Sequence, residues 1–232
     1  MISPRFFALI PAAGVGARVC DNYPKQYLPI AGKPMLLHVL DTFAASEVIA
    51  HTFVVVNASD PYIQSLLLNA PHLAQRVTVL YLGGSSRKES VLNGLYAMRH
   101  HIQDDEWVLV HDAARPGLTG LMIQQLVDNL RDDPVGGLLA MPIVDTIKAA
   151  TIDNRVQSTV PRVDKWAAQT PQMFRYATLS HALETSAEVT DESSAIEALK
   201  LMPKLITGSP RNFKVTLPHD LALAEVYLKG LA

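Results

Sequence analysis

Residues 6–18, FFALIPAAGVGAR, run five apolar side chains into a proline and then into a turn of small residues. The run Phe6–Ile10 is continuously apolar instead of alternating, the pattern of a strand buried on both faces. Pro11 closes it, and Gly14 and Gly16 let the following backbone approach a ligand while exposed amides favour an anion. The dinucleotide fingerprint G-x-G-x-x-G is broken, because Val19 stands where the third glycine belongs; no Gly-Lys-Ser/Thr follows to make a phosphate-binding P-loop. The turn taken alone is as compatible with a purely structural role as with nucleotide binding.

Outward from this stretch the chain alternates. Residues 33–45 carry Met35, Leu36, Val39, Leu40 and Phe43 at helical spacing, Thr52–Val56 reads as a strand, and a helical segment runs from Asp60 to about Asn69. Val77–Leu82 is a third strand and Arg87–His101 a helix capped by Ser85 or Ser86. Trp107–Val110 is a fourth strand, 119–131 a helix and Gly136–Ile143 a fifth strand. Strands separated by helices predict βαβ units, hence an α/β fold with a mostly parallel sheet. At 145–165 the rhythm breaks into a polar, β-prone stretch around Asn154, expected to form a hairpin arm that needs another surface to pack on. Helices resume near 175–186 and 191–200. Leu205–Thr207 and Phe213–Leu217 read as short strands, and Pro218–Leu228 as a last helix with proline in its first turn. With no repeat and no low-complexity linker, residues 1–232 are expected to form a single domain carrying the 145–165 arm.

Bulk properties narrow the function. An apolar fraction of 49% in 232 residues provides for a real core. A net charge of −2 argues against a nucleic-acid polymer as partner, while a nucleotide needs only a local cluster of cations. No apolar run reaches the roughly 20 residues of a membrane span, and the N-terminus has no signal-peptide pattern. Cys20 is the only cysteine, which excludes an internal disulfide and a cysteine-based metal site. A cytoplasmic setting is expected.

The polar residues then cluster at strand ends. Arg18 and Lys25 bracket the glycine turn with two cations, suited to a triphosphate and to the charge of a phosphoryl transition state; surface solvation is the plainer alternative. Asp112 follows the fourth strand at its carboxyl end, where open α/β sheets bind ligands, and a carboxylate there can hold Mg²⁺ or simply cap a turn. Arg115 is a phosphate contact or a salt-bridge partner of Asp112. Gly83-Gly-Ser-Ser86 can read a base or ribose or form a capped turn, and His111, with no second histidine at ligand spacing, is structural. No order of residues points to a covalent nucleophile.

These residues resemble a known family. Pro11–Arg18 with Pro24-Lys-Gln-Tyr-Leu28, then Val110-His-Asp-Ala-Ala-Arg-Pro116, is similar to the 2-C-methyl-D-erythritol 4-phosphate cytidylyltransferases of the non-mevalonate isoprenoid pathway. Arg87-Lys-Glu-Ser-Val91, Asp145-Thr-Ile-Lys148, Thr170-Pro-Gln172, Thr190-Asp-Glu-Ser193, Phe213-Lys-Val-Thr216 and Asp220-Leu-Ala-Leu223 follow in order. The resemblance implies a Rossmann-like nucleotidyltransferase fold, CTP and a polyol phosphate as substrates, Mg²⁺ as cofactor, and a homodimer joined through the arms. It further implies Arg18, Lys25 and Lys214 as catalytic cations, and Ala12, Ala13, Gly14, Gly84, Ser90 and Asp112 at the nucleotide, with Asp112 also toward the metal. Arg115 would hold the polyol phosphate together with Thr146 and Arg162 of the partner subunit. Val160-Pro-Arg162 departs from the acidic residue commonly preceding that arginine in the family, so Lys165 is an alternative to Arg162. Residues 208–212 likewise depart from a more acidic stretch. Ribitol-5-phosphate cytidylyltransferase shares the CTP loop and is the nearest alternative; a sugar-1-phosphate nucleotidyltransferase is more distant. A catalytically silent nucleotide-binding protein is the alternative from another class, opposed by the intact Arg18, Lys25, Asp112 and Lys214.

Overall fold

The computed structural model describes residues 4–14 and 23–230. Its first strand, β1 (Phe6–Pro11), is buried along Phe7–Ile10 as its unbroken apolar run requires. The next elements are a small ribbon, β2 (Pro29–Ile30) and β3 (Lys33–Pro34), then α1 (Met35–Ala45), β4 (Ile49–Val55), α2 (Ile63–Leu68), β5 (Val77–Leu80), α3 (Arg87–Met98), β6 (Trp107–Val110), α4 (Gly120–Leu130) and β7 (Gly136–Pro142). The chain continues with β8 (Ile147–Ala150), β9 (Val156–Val160), β10 (Trp166–Arg175), α5 (Tyr176–Thr185), α6 (Glu192–Ala198), β11 (Lys204–Thr207) and α7 (Pro218–Lys229).

Seven strands form one sheet in the order β11-β7-β10-β6-β1-β4-β5. The pairs β11/β7, β6/β1, β1/β4 and β4/β5 are parallel, and only β10 runs antiparallel to its two neighbours. The fold is therefore the expected α/β arrangement with a mostly parallel sheet. Alternation along the strands divides the core into two layers. Ala8, Ile10, Trp107 and Leu109 pack under α1, α2 and α4, whereas Phe7, Leu9, Val108 and Val110 pack under α3, α5 and α6. A third, smaller cluster of Ile30, Met35, Ala114, Val215 and Ala224 seats α7 against the loops at the carboxyl end of the sheet.

Three expectations need correction. No element predicted from the sequence covers Trp166–Arg175, yet β10 lies in the middle of the sheet. Pro171 removes a ladder donor and breaks the strand pattern, and the sheet absorbs it with a register shift against β7 between Ala168 and Gln172. Phe213–Leu217 is not a strand: no described strand pairs with it, and it is held instead by Val215 N on the Ala114 carbonyl at 2.9 Å, Lys25 Nζ on the Val215 carbonyl, and the amides of Thr216 and Leu217 on Asp220 Oδ2. The predicted helix from Asp60 to about Asn69 is shorter, Ile63–Leu68, because Asp60 Oδ1 accepts from the amides of Tyr62 and Ile63 and holds the chain in a turn ahead of it.

The 145–165 stretch does form a hairpin. β8 and β9 pair antiparallel as a separate two-stranded sheet, and Asn154 at the turn takes φ +60. Ile152, Val156 and Val163 stand exposed along it.

Candidate active site

The carboxyl ends of β1, β5 and β6 open into a cleft of about 490 Å³, where a parallel sheet places its ligand loops. The first wall is the turn after β1. Ala12 N donates to the Val55 carbonyl at 2.7 Å, and the buried Gln26 amide donates to the Ala12 carbonyl at 2.7 Å, so the turn is clamped from both sides. Gln26 received no role from the sequence; its signal was one amide among the apolar neighbours Tyr27 and Leu28.

The second wall is the loop after β5. Gly83 N donates to the Val56 carbonyl at 2.8 Å, and a Cβ on Gly83 would fall 2.4 Å from the Ala13 Cβ and 2.9 Å from that carbonyl. Only glycine lets this loop lie against the first turn. Ser86 caps α3 by accepting from Glu89 N, and Ser85 donates through its amide (2.7 Å) and hydroxyl (2.6 Å) to Glu89 Oε2. The buried Ser90 hydroxyl donates to the Ser86 carbonyl at 2.9 Å and accepts from Gly84 N at 3.0 Å. Gly83→Ala is therefore expected to part the two loops, raising the KM for the nucleotide about tenfold and costing roughly 1–3 kcal/mol of stability by overpacking. Steady-state kinetics and a melting curve check it, and a wild-type KM would show that the loops close on each other in some other way.

The third wall holds the charges. Asp112 leaves β6, and its amide donates to Thr170 Oγ1 at 3.0 Å. Its carboxylate lies between three cations: Arg87 Nε donates to Oδ1 at 2.9 Å, Lys214 Nζ is 2.9 Å from Oδ2, and Arg115 Nε is 3.5 Å from Oδ2. Burial alone would raise this carboxyl, but Arg87, then Lys214 and Arg115, hold it well below the usual carboxylate range. Lys25 Nζ donates to the Val215 carbonyl at 2.9 Å, which sets it beside Lys214. His111 is fully buried, with Nδ1 3.0 Å from the Thr170 hydroxyl and Nε2 3.2 Å from the Arg115 carbonyl, and burial lowers its pKa to about 4. It holds the 111–115 loop as a neutral ring.

The cleft thus gathers Ala12, Ala13, Gly14, Lys25, Gly84, Ser90, Asp112 and Lys214. Arg115 lies behind it with a side chain 11% exposed, donating to the Asn212 carbonyl at 2.8 Å. Thr146 and Arg162 are exposed at the base of the arm, where Arg162 donates to the Val144 carbonyl, and neither lines the cleft of its own chain. Arg18 lies outside the described residues. Among those residues no three His, Cys, Asp or Glu side chains come together as a metal cage. Among the described residues Asp112 is the one carboxylate in the cleft wall, and both its oxygens already face cations. That donor set fits a Mg²⁺ carried largely by phosphate oxygens and water, with Asp112 near it, and does not fit a cage built by the protein.

A family model described as IspD, 2-C-methyl-D-erythritol 4-phosphate cytidylyltransferase, matches residues 6–230. The 2-C-methyl-D-erythritol 4-phosphate cytidylyltransferase of Nitrosospira multiformis is 50% identical over 229 residues, covering 97% of this chain and 98% of the relative. The crystal structure of a 4-diphosphocytidyl-2C-methyl-D-erythritol synthase superposes with a TM-score of 0.86 at 36% identity, covering 98% of this chain and 100% of the other. The Francisella tularensis 2-C-methyl-D-erythritol 4-phosphate cytidylyltransferase gives 0.82 at 32% identity, covering 96% and 99%.

Proposed function

The chain belongs to the 2-C-methyl-D-erythritol 4-phosphate cytidylyltransferase family, and from that premise we propose how it transfers CMP from CTP to 2-C-methyl-D-erythritol 4-phosphate. The products are 4-diphosphocytidyl-2-C-methyl-D-erythritol and pyrophosphate, a step in making isoprenoid precursors. The observation that carries the mechanism is the charge of the cleft wall: among the described residues Lys25 and Lys214 face it beside the glycine turn, with Asp112 as the carboxylate and Arg87 held between Asp112 and Glu192. That surplus suits a triphosphate.

In the proposed reaction a phosphate oxygen of the polyol attacks the α-phosphorus in line. The new P–O bond forms as the bond to the β-phosphate breaks, and pyrophosphate leaves with that electron pair. A phosphate dianion is already a nucleophile, so no base is required; positioning and cations carry the rate. Among the described residues no histidine lines the cleft. Arg18 and Lys25 would take up charge gathering on the phosphoryl oxygens, with Lys214 assisting. Ala12, Ala13, Gly14, Gly84 and Ser90 would contact the nucleotide, and Asp112 its ribose side. Mg²⁺ is the proposed cofactor, supplying charge neutralisation on the phosphates, with Asp112 the residue placed to stand near it.

The arm carries the second half of the proposal. A lone hairpin is marginal in water, and this one leaves Ile152, Val156 and Val163 exposed. A second copy of the chain would cover it, bringing Thr146 and Arg162 of the partner subunit to the polyol phosphate beside Arg115. The proposed compartment is the cytoplasm, where CTP is made; no helix among the described residues is long and apolar enough to cross a membrane.

The test is pyrophosphate release from CTP and Mg²⁺ with either 2-C-methyl-D-erythritol 4-phosphate or ribitol 5-phosphate, on protein whose mass is measured in solution. Release with the first alone, by a species of twice the chain mass, is expected. Release only with ribitol 5-phosphate would overturn the substrate, and a monomeric active enzyme would overturn the role of the arm.

A further inference from the structure

Arg87, Glu192 and Gln172, from three of the motifs noted in the sequence, have no role in the ligand contacts above, and in the structure those motifs meet. Arg87, from the loop-to-helix segment that carries Gly84 and Ser90, reaches Glu192 at the start of α6 with two bonds, Nη1 to Oε1 at 2.7 Å and Nη2 to Oε2 at 3.0 Å. Its remaining Nε is the donor to Asp112 Oδ1. Glu192 is 1% exposed, so its charge has been taken out of water and its carboxylate is spent on this one guanidinium. The third motif supplies the footing. Gln172 of β10 accepts from Ser193 N at 2.7 Å and donates to Asp191 Oδ2 at 2.8 Å, pinning the first turn of α6 to the central sheet.

We infer that Arg87 and Glu192 are positioning residues for the cytidylyl transfer, holding Asp112 so that its second oxygen keeps Lys214 at the cleft. The reason is geometric. A guanidinium free of Glu192 can grip a carboxylate with two parallel bonds, and gripping Asp112 that way would take both oxygens and release Lys214. Glu192 grips the terminal fork and fixes the guanidinium in an orientation in which its bond to Asp112 is the one from Nε to Oδ1, and Oδ2 is left for Lys214 at 2.9 Å. Glu192 does not itself line the cleft and acts through Arg87, which does, and Asp112. Displacing a catalytic group by as little as 1 Å costs up to about a hundredfold in rate.

This rests on the cytidylyltransferase reading, and the experiment separates the two. The full-length chain and its Glu192→Gln variant are assayed with CTP, Mg²⁺ and 2-C-methyl-D-erythritol 4-phosphate, each also in a Lys214→Ala background. Glu192→Gln is expected to lower kcat about tenfold or more and leave the KM for CTP within about threefold. In the Lys214→Ala background the same change should cost almost nothing, because the group it positions is gone. If the unmodified chain is inactive, the functional reading fails and takes this inference with it. If the unmodified chain is active and Glu192→Gln matches its kcat, or if the losses multiply in the double variant, the positioning role alone is overturned. Should Glu192→Gln fail to fold, the Arg87→Met, Glu192→Leu pair removes both charges together and buries neither unpaired. A tenfold loss of kcat in that folded variant supports the role; wild-type turnover, or failure of this variant to fold as well, reduces the pair to a structural tie.

Discussion

Lys25→Ala is expected to lower turnover by roughly a hundredfold to a thousandfold while the melting temperature stays close to that of the unmodified protein. The kinetic side follows from what the cation faces. Lys25 opens a short turn at residues 25–27 and is half-buried, with Nζ donating to the Val215 carbonyl at 2.9 Å. That carbonyl belongs to the residue after Lys214, so one backbone segment presents one lysine and anchors the other. A preset cation directed at a transferring phosphoryl group is worth about 10²–10³ in rate, because its charge matches what appears only in the transition state. The loss should fall on kcat more than on the KM for CTP, since Lys214 remains at the cleft to meet the triphosphate. The stability side follows from the packing. Truncation removes a bond to a carbonyl at the cleft, whereas the Val215 amide keeps its tie to Ala114 and the cluster of Ile30, Met35 and Ala224 is untouched. A variant with unchanged kcat would remove Lys25 from the site, and one that melts far lower would make its role structural.

What was legible in the sequence was what lies close together along it. Strands β1, β4 and β6 are buried on both faces and announce themselves as unbroken apolar runs. The helices between them carry one apolar stripe each, and Ser86, Pro218 and the turn at Asn154 stand where local chemistry puts them. The central strand β10 escaped for a reason that bears on the site. Its middle is Gln169-Thr-Pro-Gln172, polar in sequence but buried in the sheet. Those side chains are anchors for loops: Gln169 donates to the Ser209 carbonyl, Thr170 holds His111 and Asp112, and Gln172 holds the start of α6. A strand used in this way loses the apolar signature by which buried strands are recognised. Phe213–Leu217 failed in the opposite sense. Its β-prone residues met no neighbouring strand, and Lys25 and Ala114 took the polar backbone groups of Val215 instead.

The site divides along the same line. The glycine turn and His111-Asp112-Ala-Ala-Arg115 are contiguous and could be recognised from spacing. Arg87 and Glu192 are 105 residues apart and meet only because α3 and α6 cover the same face of the sheet. No spacing rule reports such a pair. Asp112 was legible as a carboxylate at a strand end. Its confinement by three cations from three separate segments was not.

Asp112→Asn is accordingly expected to lose both stability and activity. Asparagine keeps the shape and one oxygen acceptor, so the variant tests charge alone. With the carboxylate gone, Arg87, Arg115 and Lys214 converge with only Glu192 to oppose them, and Glu192 is already bonded to Arg87. Removing one partner from a buried charge network costs about 3–5 kcal/mol, because the remaining charges stay out of water unpaired. At about 2–4 °C per kcal/mol for a chain of this size, the melting temperature should fall by about 10 °C. Turnover should fall by about a hundredfold in the protein that remains folded, since Lys214 loses the oxygen that places it. An unchanged melting temperature would mean that water already screens these three cations, which would also weaken the case for Arg87 and Glu192. The pairing with Lys25→Ala is what makes the result informative. Lys25 and Asp112 line one cleft, so a site that depended on charge alone would respond to both in the same way. A loss of rate without a loss of stability at Lys25, and a loss of both at Asp112, would separate the cation that acts from the carboxylate that holds the acting groups in place.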